Sequence, residues 1–506
     1  MTTTISSALT ESQQKQLLAI LLQTRPVLKQ LLAQAGRASL VEYEAAYYRS
    51  GLRQPQPGRQ AEFLQTFAVY ARKYFDQPTV EQVVTQLRKY YVVSTADHHA
   101  PLFPSCAFQA NALTAAAYRT LNDAQLNSII ILGCSSVSLN HRDFPRGFLY
   151  HSIVGDDIVT ERIAIFPSKW QMCPVFQCPA YTMAQLNASV KQLQVKISQG
   201  TLKAVTGERL IQLLMEYYAD PTLLAKQYYS EQVAQLNRKL WRTLWGPKQP
   251  DLLYIDEEGL VSQLILNHHL TQNTVIHALL FDETVRAHLL PQLVQAMAGY
   301  LHQQGVGTNL FWALSPTNHH RVPLQIKQQA LVSSDATTPI QIPLTPEHIQ
   351  TALQTKQIFP NLMLCYTVLN LYYQLNCFGG FNQQTYLTAM QEVYGASKYD
   401  AAFQPVITPA LHYGLYSAFT AHQQQAMALD GMDLWLYGQP KFYPAWDEAL
   451  HRVTVQQSLQ WLAPALYRYL SADEQSLYDK AALTKFILTD SIERSSNQPA
   501  ILSINY

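Results

Sequence analysis

Six cysteines are few for 506 residues, and none stands at a paired metal-ligand spacing. The closest two, Cys173 and Cys178, are interleaved with Pro174 and Pro179, and the nearest histidine is His151. A zinc site there would lack two ligands, so these thiols are expected to be small buried hydrophobes in a reducing compartment. Charge of a dominant sign is also absent. With 36 Lys and Arg against 35 Asp and Glu the formal net charge is +1, so no global field draws the chain to nucleic acid or to an anionic membrane. No apolar run reaches the roughly 18 residues of a membrane-crossing helix. The first ten residues have neither the basic start nor the apolar stretch of a secretory signal. The expectation is therefore a cytoplasmic protein with neither a nucleic-acid nor a membrane partner. There is no Walker or dinucleotide glycine fingerprint, no Gly-x-Ser-x-Gly elbow and no His-Glu-x-x-His, so the motifs name no cofactor and no hydrolase triad.

What is present is a large apolar fraction. Hydrophobic residues make up 48% and charged residues 14%, which excludes wholesale disorder, and the length calls for two or three structural units. Leucines at helical spacing between Leu17 and Leu32 open a helical N-terminal region over residues 1–89. Tyr90 to Val93 then begins an α/β core, whose first part spans 90–182. It contains an alanine-rich helix from Ala107 to Leu121, the buried-strand run Ile129 to Leu132, and two further strands over Leu149 to Val154 and Val159 to Phe166. A helical excursion covers 183–250. The second part of the core, 251–344, has strand-like pieces at Leu252 to Ile255, Thr274 to Ala278 and Asn309 to Ala313. These alternate with helices at Glu258 to Leu266 and Pro291 to Gln303. Residues 345–506 read as mainly helical. The fold class is α/β, a Rossmann-like parallel sheet with extensive helical additions at both ends.

Polar residues cluster where such a sheet delivers its loops. Asp97-His98-His99 follows the first strand, where Asp97 is placed to orient one imidazole for base or ligand work. After the second strand, the amides of Gly133 to Ser136, with Ser135 and Ser136, are placed to meet anion oxygens, as is the helix start at Ser105. Arg142 and Arg146 flank a proline turn and suit a carboxylate or phosphate, while His141 and His151 add proton donors. Two more pairs, His268-His269 and His319-His320, lack carboxylates at metal spacing, and Asp256 to Glu258 reads as a turn. Late in the chain Gly379-Gly380 separates two apolar segments that read as helices. Gln383 and Tyr386 stand three apart on the helix that follows.

The order of these clusters resembles the cysteine-adding enzyme family of bacillithiol biosynthesis. That family's Gly-Gln-Gln-Pro-Gly loop has its counterpart in Asp97-His98-His99-Ala100-Pro101, and its Phe-Pro-Ser element in Phe359-Pro360-Asn361. Its Gly-Gly-Pro-Gly-Glu-x-x-Tyr element is similar to Gly379-Gly380-Phe381-Asn382-Gln383-Gln384-Thr385-Tyr386. The resemblance covers about a tenth of the chain in short islands. His98-His99 stands where the family has two glutamines, Ser135 to Asn140 where it has an acidic segment, and Gln or Thr where it has the Glu. Its long coiled coil has no counterpart here. Histidine in place of glutamine replaces neutral hydrogen bonding with proton transfer or metal binding.

The first expectation is a small-metabolite biosynthetic enzyme, ligase- or transferase-like, acting on an anionic carboxylate or phosphate substrate. His98 or His99 serves as base or ligand, Arg142 and Arg146 clamp the anion, and Gly379, Gly380, Gln383 and Tyr386 close the pocket. The condensation class is what the resemblance implies. The alternatives are a metal-dependent hydrolase or oxidase built on His98, His99, His141 and His151, and a non-catalytic binding or scaffold protein. Assembly as a homo-oligomer is left open.

Overall fold

The computed structural model describes residues 11–52, 55–154, 157–246, 249–298, 310–334, 338–404, 411–422, 425–439, 442–467 and 500–503. Its centre is a parallel sheet of five strands: β1 (Val92–Ser94), β2 (Ser128–Gly133), β3 (Asp251–Asp256), β4 (Asn376–Gly380) and β5 (Leu411–Tyr413). They lie in the order β5-β4-β1-β2-β3, with Val92 opposite Asn376, Ser94 opposite Ile131 and Ile129 opposite Leu252. Every residue of β2 is buried, as expected of an apolar run covered on both faces. The chain steps outward from β1 to β2 to β3, then returns to the other side of β1 for β4 and β5. The strand order thus reverses between β1 and β4, and connections leaving those two strands diverge there.

The helix Ser105–Leu121 crosses from β1 to β2. Its alanines let it pack closely, and all its residues from Ala107 to Tyr118 are buried. Gln109 is fully satisfied inside it, accepting from the amides of Ser417 and Ala418 and donating to the carbonyls of Ala418 and Leu429. The helices Pro57–Ala71 and Gln77–Tyr90 precede β1, the second capped by Asp76, which accepts from the Thr79 amide. The helix Tyr229–Trp245 packs on β3, and Glu257–His268 and Phe381–Ser397 follow β3 and β4. Gly147–Val154 and Asp157–Ala164 form an antiparallel hairpin; the turn residues Gly155 and Asp156 lie outside the described residues.

Four expectations need correction. Thr274 to Ala278 is no strand: Thr274 accepts from the His277 amide and caps the helix Val275–Phe281, a local signal that outweighs the β-branched start. The strand Phe311–Leu314 belongs to a separate antiparallel sheet, in the spatial order Ile358–Pro360, Phe311–Leu314, Arg321–Lys327, Ala330–Ser333, Gln341–Pro343. The helix expected from Pro291 runs instead from Glu283 to Ala298 straight through that proline, and residues 299–309 lie outside the described residues. The largest change concerns the diglycine. Gly379 and Gly380 end a buried parallel strand beside β1 and do not form an elbow between helices. Among the described residues no helix is long and apolar enough to cross a membrane.

Candidate functional site

A cavity of about 470 Å³ opens at the carboxyl ends of β1 and β4, where the strand order reverses. Its floor is Thr95, the first residue after β1. The Thr95 amide donates to the Phe378 carbonyl, its own carbonyl accepts from Tyr366 Oη at 3.1 Å, and its hydroxyl accepts from Gln383 Nε2 at 2.6 Å. One wall carries His98, His141, Arg142 and Asp143; the other carries Gly380, Asn382, Gln383 and Tyr386. The first turn of Ser105–Leu121 contributes Cys106, and that of Phe381–Ser397 contributes Phe381 to Gln383. Two helix N-termini therefore face the cavity, each with backbone donors and the positive end of its dipole. Asn382 Oδ1 is buried without a hydrogen-bond partner.

The rings of His98 and His141 meet edge to face with centroids 4.4 Å apart, and His141 stacks on Phe144 at 4.8 Å. Burial pushes the His98 ring down to about 3, and the neighbouring His141 and Arg142 add to the shift. His141 is lowered by burial too, against the opposing charge of Asp143. The direction of both shifts favours the neutral rings. His141 Nδ1 lies 3.5 Å from Asp143 Oδ2, and Arg142 Nε lies 3.2 Å from Asp143 Oδ1, with the Arg142 side chain at the exposed rim. Burial raises the Cys106 thiol to about 12 and raises Cys134 well above its usual range. Neither is poised as a nucleophile.

Other expected site residues are placed elsewhere. His99 is fully buried, with Nε2 donating to the Ser230 carbonyl at 2.8 Å, and it turns away from the cavity. Asp97 orients neither imidazole; its carboxylate accepts from the Tyr254 hydroxyl, and burial raises it to about 7. The Ser135 and Ser136 amides are taken by an internal carboxyl group: Glu258 accepts from them at 2.7 and 2.8 Å, and from the Ser135 hydroxyl at 2.7 Å, while burial and the neighbouring Asp256 raise its pKa. Arg146 adopts φ 63° and donates Nη1 to the Phe166 carbonyl at 3.1 Å, outside the cavity lining, so no two-arginine clamp forms. His151 pairs with Asp433 at 2.9 Å in a separate buried cluster with Asp430. Gly379 lies behind Gln383, and Gly380 lines the cavity itself.

Some site residues were not singled out from the sequence. Tyr366, Tyr413 and Thr95 read as ordinary β-formers or core aromatics, and only their proximity to the strand ends marks them. Asp143, next to Arg142, is a further lining residue that the sequence pattern did not mark. Asp256, Glu257 and Glu258, expected on a turn, span the end of β3 and the start of its helix and are at most 2% exposed. The pairs His268-His269 and His319-His320 fall outside the cavity lining. No protein-family model matches this chain, and no curated protein matches it in sequence.

Proposed function

We propose that this chain is an enzyme with a Rossmann-like core that binds a small anionic metabolite in the crevice between β1 and β4. The observation that carries this reading is the convergence of Thr95 and His98, of His141 to Asp143, of Gly380 to Gln383 with Tyr386, and of Tyr413 on one cavity at the sheet edge. Open parallel sheets bind ligands in this crevice because the strand ends and diverging connections leave it uncovered. Anion preference follows from the two helix N-termini and from Arg142 at the rim. In this reading His98 acts as base or ligand beside His141, and Gln383 and Tyr386 form the opposite wall.

The condensation or group-transfer class comes from the resemblance to the cysteine-adding enzymes. Support for it lies in the spatial meeting of islands far apart in the sequence. The loop after β1 and the diglycine of β4 are neighbours in the sheet, and the helix that Asn361 caps supplies Leu362 and Tyr366 to the same cavity. The test is thermal denaturation against a panel of small mono- and dicarboxylates and phosphate esters. A ligand of the native state at a hundred times its Kd adds about 2.7 kcal/mol of stability. At least one acid should stabilise the wild type, and Arg142→Ala should abolish most of that gain. If no member of the panel stabilises the protein, or if Arg142→Ala and Gln383→Ala both keep the full effect, the proposal fails.

A further inference from the structure

We propose that His98, His141 and Asp143 together hold a divalent transition-metal ion of the zinc or iron(II) class at the wall of the cavity. One donor atom from each lies within 4.8 Å of the other two. Donors around a tetrahedral ion at about 2.1 Å stand about 3.4 Å from one another, so closure takes side-chain movements of about an ångström on loop residues. Two imidazoles and one carboxylate are a donor set that divalent transition ions take in preference to magnesium or calcium, which favour all-oxygen sites. The inference rests on the cavity being the ligand site proposed above. It adds what that site holds: three protein donors leave a coordination position facing the cavity, where an anionic substrate oxygen or a water would bind.

The surroundings fit this role. Among the described residues no hydrogen bond engages the His98 ring, whose close neighbours are the rings of His141 and Phe144, and His141 Nδ1 accepts only a long bond, 3.4 Å, from the Asp143 amide. Arg142 Nε, 3.2 Å from Asp143 Oδ1, is placed to orient the carboxylate as outer-sphere residues do at metal centres. A second cluster of similar composition shows the contrast. In His151, Asp430 and Asp433 the lone pairs are already taken: Asp433 accepts from the His151 ring, the Thr420 hydroxyl and the Asp430 amide, and Asp430 accepts from the Asp433 amide. That cluster is a closed ion-pair network sealed from solvent. The one at His98 opens on a cavity.

The experiment uses untagged full-length protein stripped with chelator, incubated with zinc or cobalt(II), desalted and assayed for metal content and cobalt d–d absorption. Close to one equivalent per chain is expected for the wild type, and below about a tenth for His98→Ala, His141→Ala and Asp143→Asn, since such sites bind tightly. His319→Ala, which removes an exposed histidine, should match the wild type. His98→Gln and His141→Gln, checked by circular dichroism, keep the ring volume close and guard against loss through misfolding. A wild type that retains less than about a tenth of an equivalent, or folded His98 and His141 variants that retain the full amount, overturns the inference. The two proposals fail separately. Acid stabilisation of a protein that takes up no metal removes this inference alone; stoichiometric metal with no response to any acid removes the anion site alone.

Discussion

His151 is 6% exposed, on the inner strand of the hairpin, with Nδ1 2.9 Å from Asp433 Oδ1 and 3.9 Å from Asp430 Oδ2. Burial alone would drive its pKa down; the two carboxylates outweigh that and raise it to about 9. Asp430, buried beside Asp433, is raised to about 7. A histidine whose folded pKa exceeds the unfolded value of about 6.5 contributes stability that is complete below that value and is lost as pH rises through its folded pKa. For His151 this amounts to about 3 kcal/mol. Asp430 acts in the same direction at lower pH, because a carboxylic acid with a raised folded pKa loses stability as pH climbs from about 4 to 7. Urea midpoints should therefore fall between about pH 6 and pH 9.5, and His151→Gln should flatten the fall above about pH 7. Equal wild-type midpoints at the two ends of that range would show that the ring is not charged in the native state.

The end of β4 and the start of the helix Phe381–Ser397 line one wall of the cavity, and the two glycines that end β4 are not equivalent. A Cβ on Gly379 would stand 2.3 Å from Gln383 Cδ, whereas one on Gly380 meets nothing nearer than 3.6 Å. Gly379→Ala should push Gln383 off Thr95, costing about 1–3 kcal/mol and weakening acid-induced stabilisation, while Gly380→Ala should stay within about 0.5 kcal/mol of wild type. Thermal melts with and without ligand separate the two; indistinguishable variants would mean that Gln383 does not depend on this close approach. The same stretch shows where sequence reading reached its limit. Ile129 to Leu132 and the alanine-rich helix before it declared a βαβ unit through local pattern alone. The strands β4 and β5 have five and three residues, and β4 carries Asn376 and two glycines, so pairing decides their state, of β4 with β1 and of β5 with β4. His98, His141 and Arg142 were readable as one site because the loops of parallel strands share an edge, whereas Gln383 and Tyr386 joined them only through the family resemblance, since the diglycine before them reads as a break between helices. Where Arg146 and His99 point was not readable, since that depends on a positive φ and on a carbonyl from a helix more than a hundred residues away.

The sheet is assembled from both ends of the chain. The strand β1 is flanked by β2 from its own neighbourhood and by β4 from residues 376–380, so a fragment ending at residue 344 would leave β1 as a bare edge. The first and last of the described helices close the same body: Glu11–Thr24 packs on Val455–Tyr467, with Gln460 Nε2 donating to Gln14 Oε1 at 3.4 Å. Beside β5, His412 Nδ1 lies 2.9 Å from Glu44 Oε2, and the Leu411 amide donates to Tyr43 Oη at 3.0 Å; both pairs are buried. Gln109 joins the first crossover helix to the Ser417 to Leu429 segment. Residues 1–344 alone would thus lose one half of the β1 ladder and leave Glu44, Tyr43 and Gln109 buried or exposed without their partners. An unpaired buried polar group costs about 1–3 kcal/mol each time, against a total stability of about 5–15 kcal/mol. The expected outcome is that the 1–344 fragment retains helical far-ultraviolet dichroism but shows no native near-ultraviolet signal and binds hydrophobic dye. A fragment with native-like near-ultraviolet dichroism and a cooperative melt would mean that residues 345–506 form a separate unit docked on a complete core, and that the crevice between β1 and β4 is an interface between two folding units.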